Sequence, residues 1–271
     1  MEKFCARHIS YWKRTFFGLV AVAILIAPPP QAWAVNVSVD TTIPANTTDT
    51  NQQTINANDI TLTVDGTLDF ASPRTIDVGT FTGVTIINNA GATINSSDTG
   101  TTETIYANNG EGLTIINSGT ISADGNRAIR IRNDTSFSII NNAGGLITST
   151  SGTINLPANT GTITNSGTIT TTGANDTIRT SGSVGTGVVI TNNAGGIISN
   201  ASTNSAIRLN GLDSIINSGS IINSSTGFSI RFDGNNNTAT LKEGSILVGT
   251  IQLDAGTTGN TLKIEQGFGQ A

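Results

Sequence analysis

Four arginines stand at matched places in this chain. Arg130, Arg179, Arg208 and Arg231 each follow an isoleucine in a recurring phrase, and Tyr106 and Asn155 take the equivalent places in two further repeats. Residues at one phase of a repeat share a face, and a file of guanidiniums offers planar donor forks to oxyanions. Two readings stand side by side. In one, Tyr106, Arg130, Arg179, Arg208 and Arg231 form a weak ligand face for anionic sugars. In the other, the arginine stems cover the outside of a sheet and Asp134, Asp213 and Asp233 balance their charge. The second is the blander, because exposed ion pairs are common and weak.

Hydrolysis or elimination on a polysaccharide needs more than this. It takes clustered carboxylates, or a basic side chain beside them, on one face. The acids Asp98, Asp124, Asp134, Asp176, Asp213 and Asp233 are scattered through turn-like sequence and read as solvating loop tips. Asp124 and Asp176 alone suggest a stack, two repeats apart. No glycine-rich calcium nonapeptide and no phosphate loop ahead of a helix is present. The sequence therefore assigns no catalytic, cofactor or metal residue, and the chain reads as a non-enzyme.

The elements that position these side chains are legible in the repeat. Thr85-Ile86-Ile87-Asn88-Asn89-Ala90-Gly91 is echoed by Thr114-Ile115-Ile116-Asn117-Ser118-Gly119, and four more such phrases follow. Their first asparagines, Asn88, Asn117, Asn141, Asn165, Asn192 and Asn217, are 29, 24, 24, 27 and 25 residues apart. The turn alternates between Asn-Asn-Ala-Gly and Asn-Ser-Gly. Two further isoleucine series accompany it: Ile94, Ile121, Ile147, Ile169, Ile198, Ile221, and Ile105, Ile129, Ile154, Ile178, Ile207, Ile230. Each repeat thus offers three short strands with an apolar centre and polar neighbours, the period-two pattern of half-buried strands.

One such coil cannot bury its own isoleucines. Stacked about 4.8 Å apart, coils pair strand with strand and pile Ile on Ile. The expected fold is all-β, a right-handed parallel β-helix, that is, a three-sided β-solenoid of roughly eight to nine coils. The corner asparagines fall on the inward parity and form a structural ladder, with glycine supplying positive φ at each corner. Leu62, Leu68 and Ile76 match the three columns on the N-terminal side, with Val64 in place of the corner Asn. Ile246 and Ile251 belong to a looser coil, and Leu262 and Ile264 start another.

The first 34 residues follow different rules. Lys3, Arg7, Lys13 and Arg14 precede the apolar run Phe16 to Ala27, then Pro28-Pro29-Pro30 and the small-x-small site Ala32-Trp33-Ala34. This is the pattern of a signal peptide cut after Ala34. Its removal takes the only Cys, Cys5, and the only His, His8, and leaves nine basic and 17 acidic residues. The acidic mature chain disfavours nucleic acid, and it carries no segment for membrane insertion. The division is residues 1–34 signal peptide, 35–53 an irregular N-terminal cap and 54–271 parallel β-helix, most regular over 81–232.

The tandem Ile-Ile-Asn-Ser-Gly-Thr-Ile and Ile-Asn-Asn-Ala-Gly-Gly phrases, behind a signal peptide and with no mature Cys, resemble autotransporter passenger domains of type V secretion. The resemblance covers about residues 55 to 265. It implies a β-helix displayed on the outer membrane or released from it, often for adhesion, with glycans or proteins of the host or environment as partners. Such proteins carry a C-terminal translocator barrel, which this sequence lacks. A truncated gene, a separate translocator or periplasmic retention each account for that. The expected role is an exported, non-catalytic, adhesin-like or structural passenger, monomeric or self-associating end to end, without cofactors. The alternative is a carbohydrate-active β-helix, a polysaccharide lyase or hydrolase.

Overall fold

The structure is a computed structural model that describes residues 33–71, 74–133, 136–157, 160–181 and 187–265. The leader expected over 1–34 lies, but for Trp33 and Ala34, outside the described residues, as does Asp134.

The described residues form strands and turns only, arranged as a parallel β-solenoid of about nine turns. Every third strand in chain order is hydrogen-bonded to its predecessor, which generates three parallel sheets. Sheet A holds ten strands from Ala34–Val37 to Thr250–Leu253, and sheet B ten from Thr41–Ile43 to Thr261–Ile264. Sheet C holds nine, from Thr48–Asp49 to Ile246–Val248. All three wrap one apolar core.

The three isoleucine series are the spine of that core. Ile86, Ile115, Ile139, Ile163, Ile190 and Ile215 pair in succession down sheet B. Ile94 to Ile221 do so in sheet C, and Ile105 to Ile230 in sheet A. None of these isoleucines is more than 1% exposed. Each buried side chain of this size contributes about 1.5–3 kcal/mol, and the β-branch makes it stiff against its neighbours above and below. Leu62, Leu68 and Ile76 extend the columns as expected, with Val64 opposite Asn88.

The corner asparagines form a buried ladder. The Nδ2 of each donates to the Oδ1 of the next, Asn88 to Asn117 at 2.7 Å and onward through Asn141, Asn165 and Asn192 to Asn217 at 2.7–2.8 Å. The same Nδ2 reaches turn carbonyls, as Asn165 does to Gly167 O and Ile197 O, both at 3.2 Å. A ladder with one direction has an unpaired acceptor at its start. Asn88 Oδ1 is that atom, because Val64 precedes it and has nothing to donate.

The expectation about corner glycine holds for only one of the two turns. Gly91, Gly144 and Gly195 of the Asn-Asn-Ala-Gly turns have φ of +83 to +84°. Gly119, Gly167 and Gly219 of the Asn-Ser-Gly turns do not have positive φ. A Cβ on Gly167 would lie 2.3 Å from Gly145 O, so glycine is required there by the carbonyl of the coil beneath.

The N-terminal end differs from expectation. Residues 35–53, expected as an irregular cap, contribute strands to the regular sheets: Ala34–Val37 pairs with Gln52–Ile55, and Thr41–Ile43 with Leu62–Val64. At the other end Ile221 pairs with Leu247, so Leu247 takes the inward phase and Ile246 is 49% exposed. A one-residue shift in phase sends a side chain to the opposite face. Ala239 and Leu241 continue the isoleucine and asparagine columns of sheet B, and Leu262 and Ile264 stack on them.

Candidate site on the outer face of sheet A

The solenoid turns a surface phase into a file. In sheet A the residue after each column isoleucine points outward, and the register runs Asp77, Tyr106, Arg130, Asn155, Arg179, Arg208, Arg231, Gln252. The four arginines, Tyr106 and Asn155 therefore do share one column, as the spacing predicts.

A second file flanks it, two residues before each column isoleucine: Arg74, Glu103, Arg127, Gly152, Asp176 and Ser205, of which Arg74, Glu103 and Asp176 touch side chains of the outer column. Arg74 and Glu103 open their strands, whereas Arg127, Gly152, Asp176 and Ser205 precede theirs and look like loop in the sequence. Counting back two from each isoleucine is the signal that finds them. The file matters because it supplies charge. Arg74 bonds Asp77 at 2.7 Å and lies 3.6 Å above the Tyr106 ring. Glu103, 3% exposed, accepts a 2.8 Å hydrogen bond from Arg130 Nη1.

Toward the C-terminal end the arginines are well supplied with carboxylates. Arg208 is held by Asp233, with its Nε at 2.9 Å, and lies 3.6 Å from Asp176. Arg231 makes a bidentate pair with Asp254, Nε at 3.0 Å and Nη2 at 2.5 Å, and touches Asp233 at 3.4 Å. The hydrogen bond to Asp254 raises the Arg231 pKa, and the same bond lowers that of Asp254.

The other half of the file is not supplied in this way. Arg130 has Glu103, and its Nε has no partner. Arg179 Nε is likewise buried without a partner. Among the described residues the Arg127 guanidinium bonds its neighbour Asn126 Oδ1, at 3.0 Å. Burial lowers the Arg127 pKa first, and the nearby charges of Arg130 and Arg179 lower it further, against the opposing charge of Glu103. Between the two arginine rows sit Gly152 and Asn155, with Asn155 7% exposed although it faces outward.

Three readings of the acids need correction. Asp233 does balance the arginine column, but Asp213 does not. It is buried at the corner between sheets A and B, where it accepts Thr180 Oγ1 at 2.5 Å, Val188 N at 2.8 Å and Asn210 N at 3.0 Å. Burial raises its pKa, with those hydrogen bonds acting against the shift. Asp176 is no solvated loop tip either: it is 7% exposed and accepts Ser205 N at 2.9 Å. Asp124 and Asp176 do not stack, since Asp124 follows Ala123, whose column partners are Ser149 and Thr171. Asp98 does sit in an exposed turn, where Thr102 Oγ1 and Gly100 N hold its pKa down.

A further polar device escaped the sequence. Thr75 and Thr104, near the start of sheet A strands, and Thr153 and Thr177, just ahead of theirs, each donate at 2.6–2.7 Å to a carbonyl near the end of a sheet C strand. They close the third corner and keep sheet A, with its outer face, at a set angle to the core. No protein-family model, curated protein or solved structure matches this chain.

Proposed function

We propose that this chain is an exported, surface-displayed β-solenoid of the autotransporter passenger type, acting as an adhesive or structural rod and not as an enzyme. The observation that supports this best is the continuous stack of identical columns. Six successive coils present the same isoleucines and the same corner asparagine in register. Such a stack is stiff along its axis and offers one extended face, which suits display. The carboxylates on that face are engaged: Glu103, Asp176, Asp233 and Asp254 each touch an arginine. A carboxylate committed to an ion pair is poorly placed for proton transfer.

Expression of the full chain in a Gram-negative host tests export. The expected result is recovery outside the cytoplasm with Val35 at the new N-terminus, which leaves Val35–Val37 able to pair with Gln53–Ile55. Cytoplasmic retention with the leader intact would overturn the reading. The purified chain is expected to leave pectin and alginate intact; turnover abolished by Glu103→Gln or Asp176→Asn would replace this reading with a carbohydrate-active one.

A further inference from the structure

The outer faces of the three sheets differ in charge. Sheet A carries the arginine file and its carboxylates. Sheet B carries neither over eight successive coils, from the strand Thr61–Val64 to the strand Thr238–Leu241. The outward positions on either side of each column residue hold Thr, Ser, Ile and one Val, and none of them is buried. Sheet C has little charge as well, but its outward polar groups bond one another: Asn95 to Asp69, Ser122 to Asn95 and Ser199 to Thr170. Sheet B instead presents Ile87, Ile116, Ile140 and Ile216 in one outward file.

A knob stands on this face. The turn entering sheet B takes a left-handed residue three places before the column residue. Asp59, Gly83, Gly112, Asn236 and Gly259 occupy that place with φ of +55 to +72°, and these types accept it readily. Leu212 stands at the same place with φ of +58° and is 46% exposed. Among the described residues, every other positive-φ position holds Gly, Asn or Asp. A bulky apolar side chain held in a strained backbone and turned to water is costly for the solenoid on its own. A hole stands on the same face, four coils earlier. There Gly112 has no side chain, and Gly112, Leu113, Thr114, Ser136, Phe137 and Ser138 line a depression of about 230 Å³.

We propose that the outer face of sheet B binds a second copy of this chain, with Leu212 of each copy seated in the depression beside Gly112 of the other. The strand Gly161–Asn165 lies two coils from each of these residues. A two-fold axis along that strand therefore makes both contacts at once. It also sets Val189, 37% exposed, over Ser138, since each is one coil from the axis. Seven uncharged coils centred there span about 34 Å along the solenoid and about 17 Å along the strands. The two copies together then cover about 1,100 Å², enough for a specific, reversible interface. A second copy fits better than an unrelated partner for two reasons. Its ridges share the ~4.8 Å repeat and so match over the whole length. One face also carries both the knob and its hole, as an isologous contact requires. The inference rests neither on export nor on the absence of catalysis.

The test is sedimentation equilibrium of the purified chain over a concentration series, which should show a reversible monomer–dimer equilibrium. Thr162→Lys should raise the dimer Kd by about tenfold or more, because residue 162 lies beside the axis and the new charge meets its own copy. Leu212→Asn should raise it by about the same factor by emptying the depression. The thermal midpoint of dilute, monomeric Leu212→Asn should not fall, because Asn accepts the left-handed backbone that Leu resists. Thr168→Lys, on the outward face of sheet C, should change the Kd less than about twofold, since it lies outside the contact. A monomer at every concentration, an open series of larger assemblies, or equal loss in Thr168→Lys would each overturn the assignment. A lowered midpoint for dilute Leu212→Asn would overturn it too, by showing that Leu212 serves the solenoid itself.

Discussion

Two files of side chains run along this solenoid at the same strand spacing, and they solve opposite problems. The corner file repeats one residue, Asn88 to Asn217, six times without interruption. The outer file of sheet A repeats arginine but breaks it with Tyr106 and Asn155 and surrounds it with carboxylates. The difference lies in self-complementarity. In a parallel, in-register stack each residue meets its own kind. An amide carries both a donor and an acceptor, so Asn on Asn is attractive. A guanidinium has donors only and a fixed charge, so Arg on Arg repels unless acids intervene.

The most damaging way to break this contrast is Asn165→Asp. The carboxylate accepts from Asn141 but cannot donate to Asn192 Oδ1, Gly167 O or Ile197 O. A buried, unpaired charge should cost about 3–5 kcal/mol, read as a fall in the urea midpoint. Asn165→Leu should cost less, since Val64 and Leu241 hold the same column at its two ends. An aspartate variant no weaker than the leucine one would show that the donating amide is not what the corner needs.

The two corner turns provide the next comparison. Gly167→Ala puts a Cβ 2.3 Å from Gly145 O, and should cost about 1–3 kcal/mol in displaced backbone. Gly144→Ala meets no atom within 4 Å but must hold a φ of +84°, a strain of about 1–2 kcal/mol. Thermal midpoints should fall further for Gly167→Ala, and the reverse order would assign the alternating turns to backbone strain alone.

Acid titration separates an acid buried among neutral donors from one in the arginine file. The folded pKa of Asp213 is raised by burial above its ordinary 3.8, so the folded chain binds that proton more tightly than the unfolded one. Its contribution therefore falls as pH rises from the ordinary value through the raised one. Asp254, lowered by its bond to Arg231, behaves oppositely: its stabilisation is present above the ordinary value and is lost as pH falls through the depressed one. Urea midpoints against pH should show Asp213→Asn becoming relatively more stable than the parent above the window, and Asp254→Asn relatively less stable. Matching pH dependences in the two variants would contradict the assigned directions.

The smallest effect expected is Asn155→Arg, which makes Arg130, residue 155 and Arg179 three arginines in succession, with Glu103 bonded to Arg130. A loss of about 0.2–1 kcal/mol is expected at low ionic strength, shrinking as salt is added. Salt-independent loss would indicate steric crowding instead of repulsion.

Much of this was legible without coordinates, for a physical reason. When every coil stacks on the last, residue type at a fixed phase predicts its neighbour, so the isoleucine columns, the corner ladder and the shared face of Arg130, Arg179, Arg208 and Arg231 could be read from spacing. What the spacing leaves open is anything set between the strands. Connections differ in length from coil to coil, so the burial of Asp176 and Asp213 emerges only when the loops are laid against the sheet. At Ile246 and Leu247 both residues are apolar, so pattern cannot choose the phase; pairing with Ser220 and Ile221 does. Spacing identified the arginines as a set, but tertiary structure alone divided them into those neutralised by Asp176, Asp233 and Asp254 and those left with donors to spare.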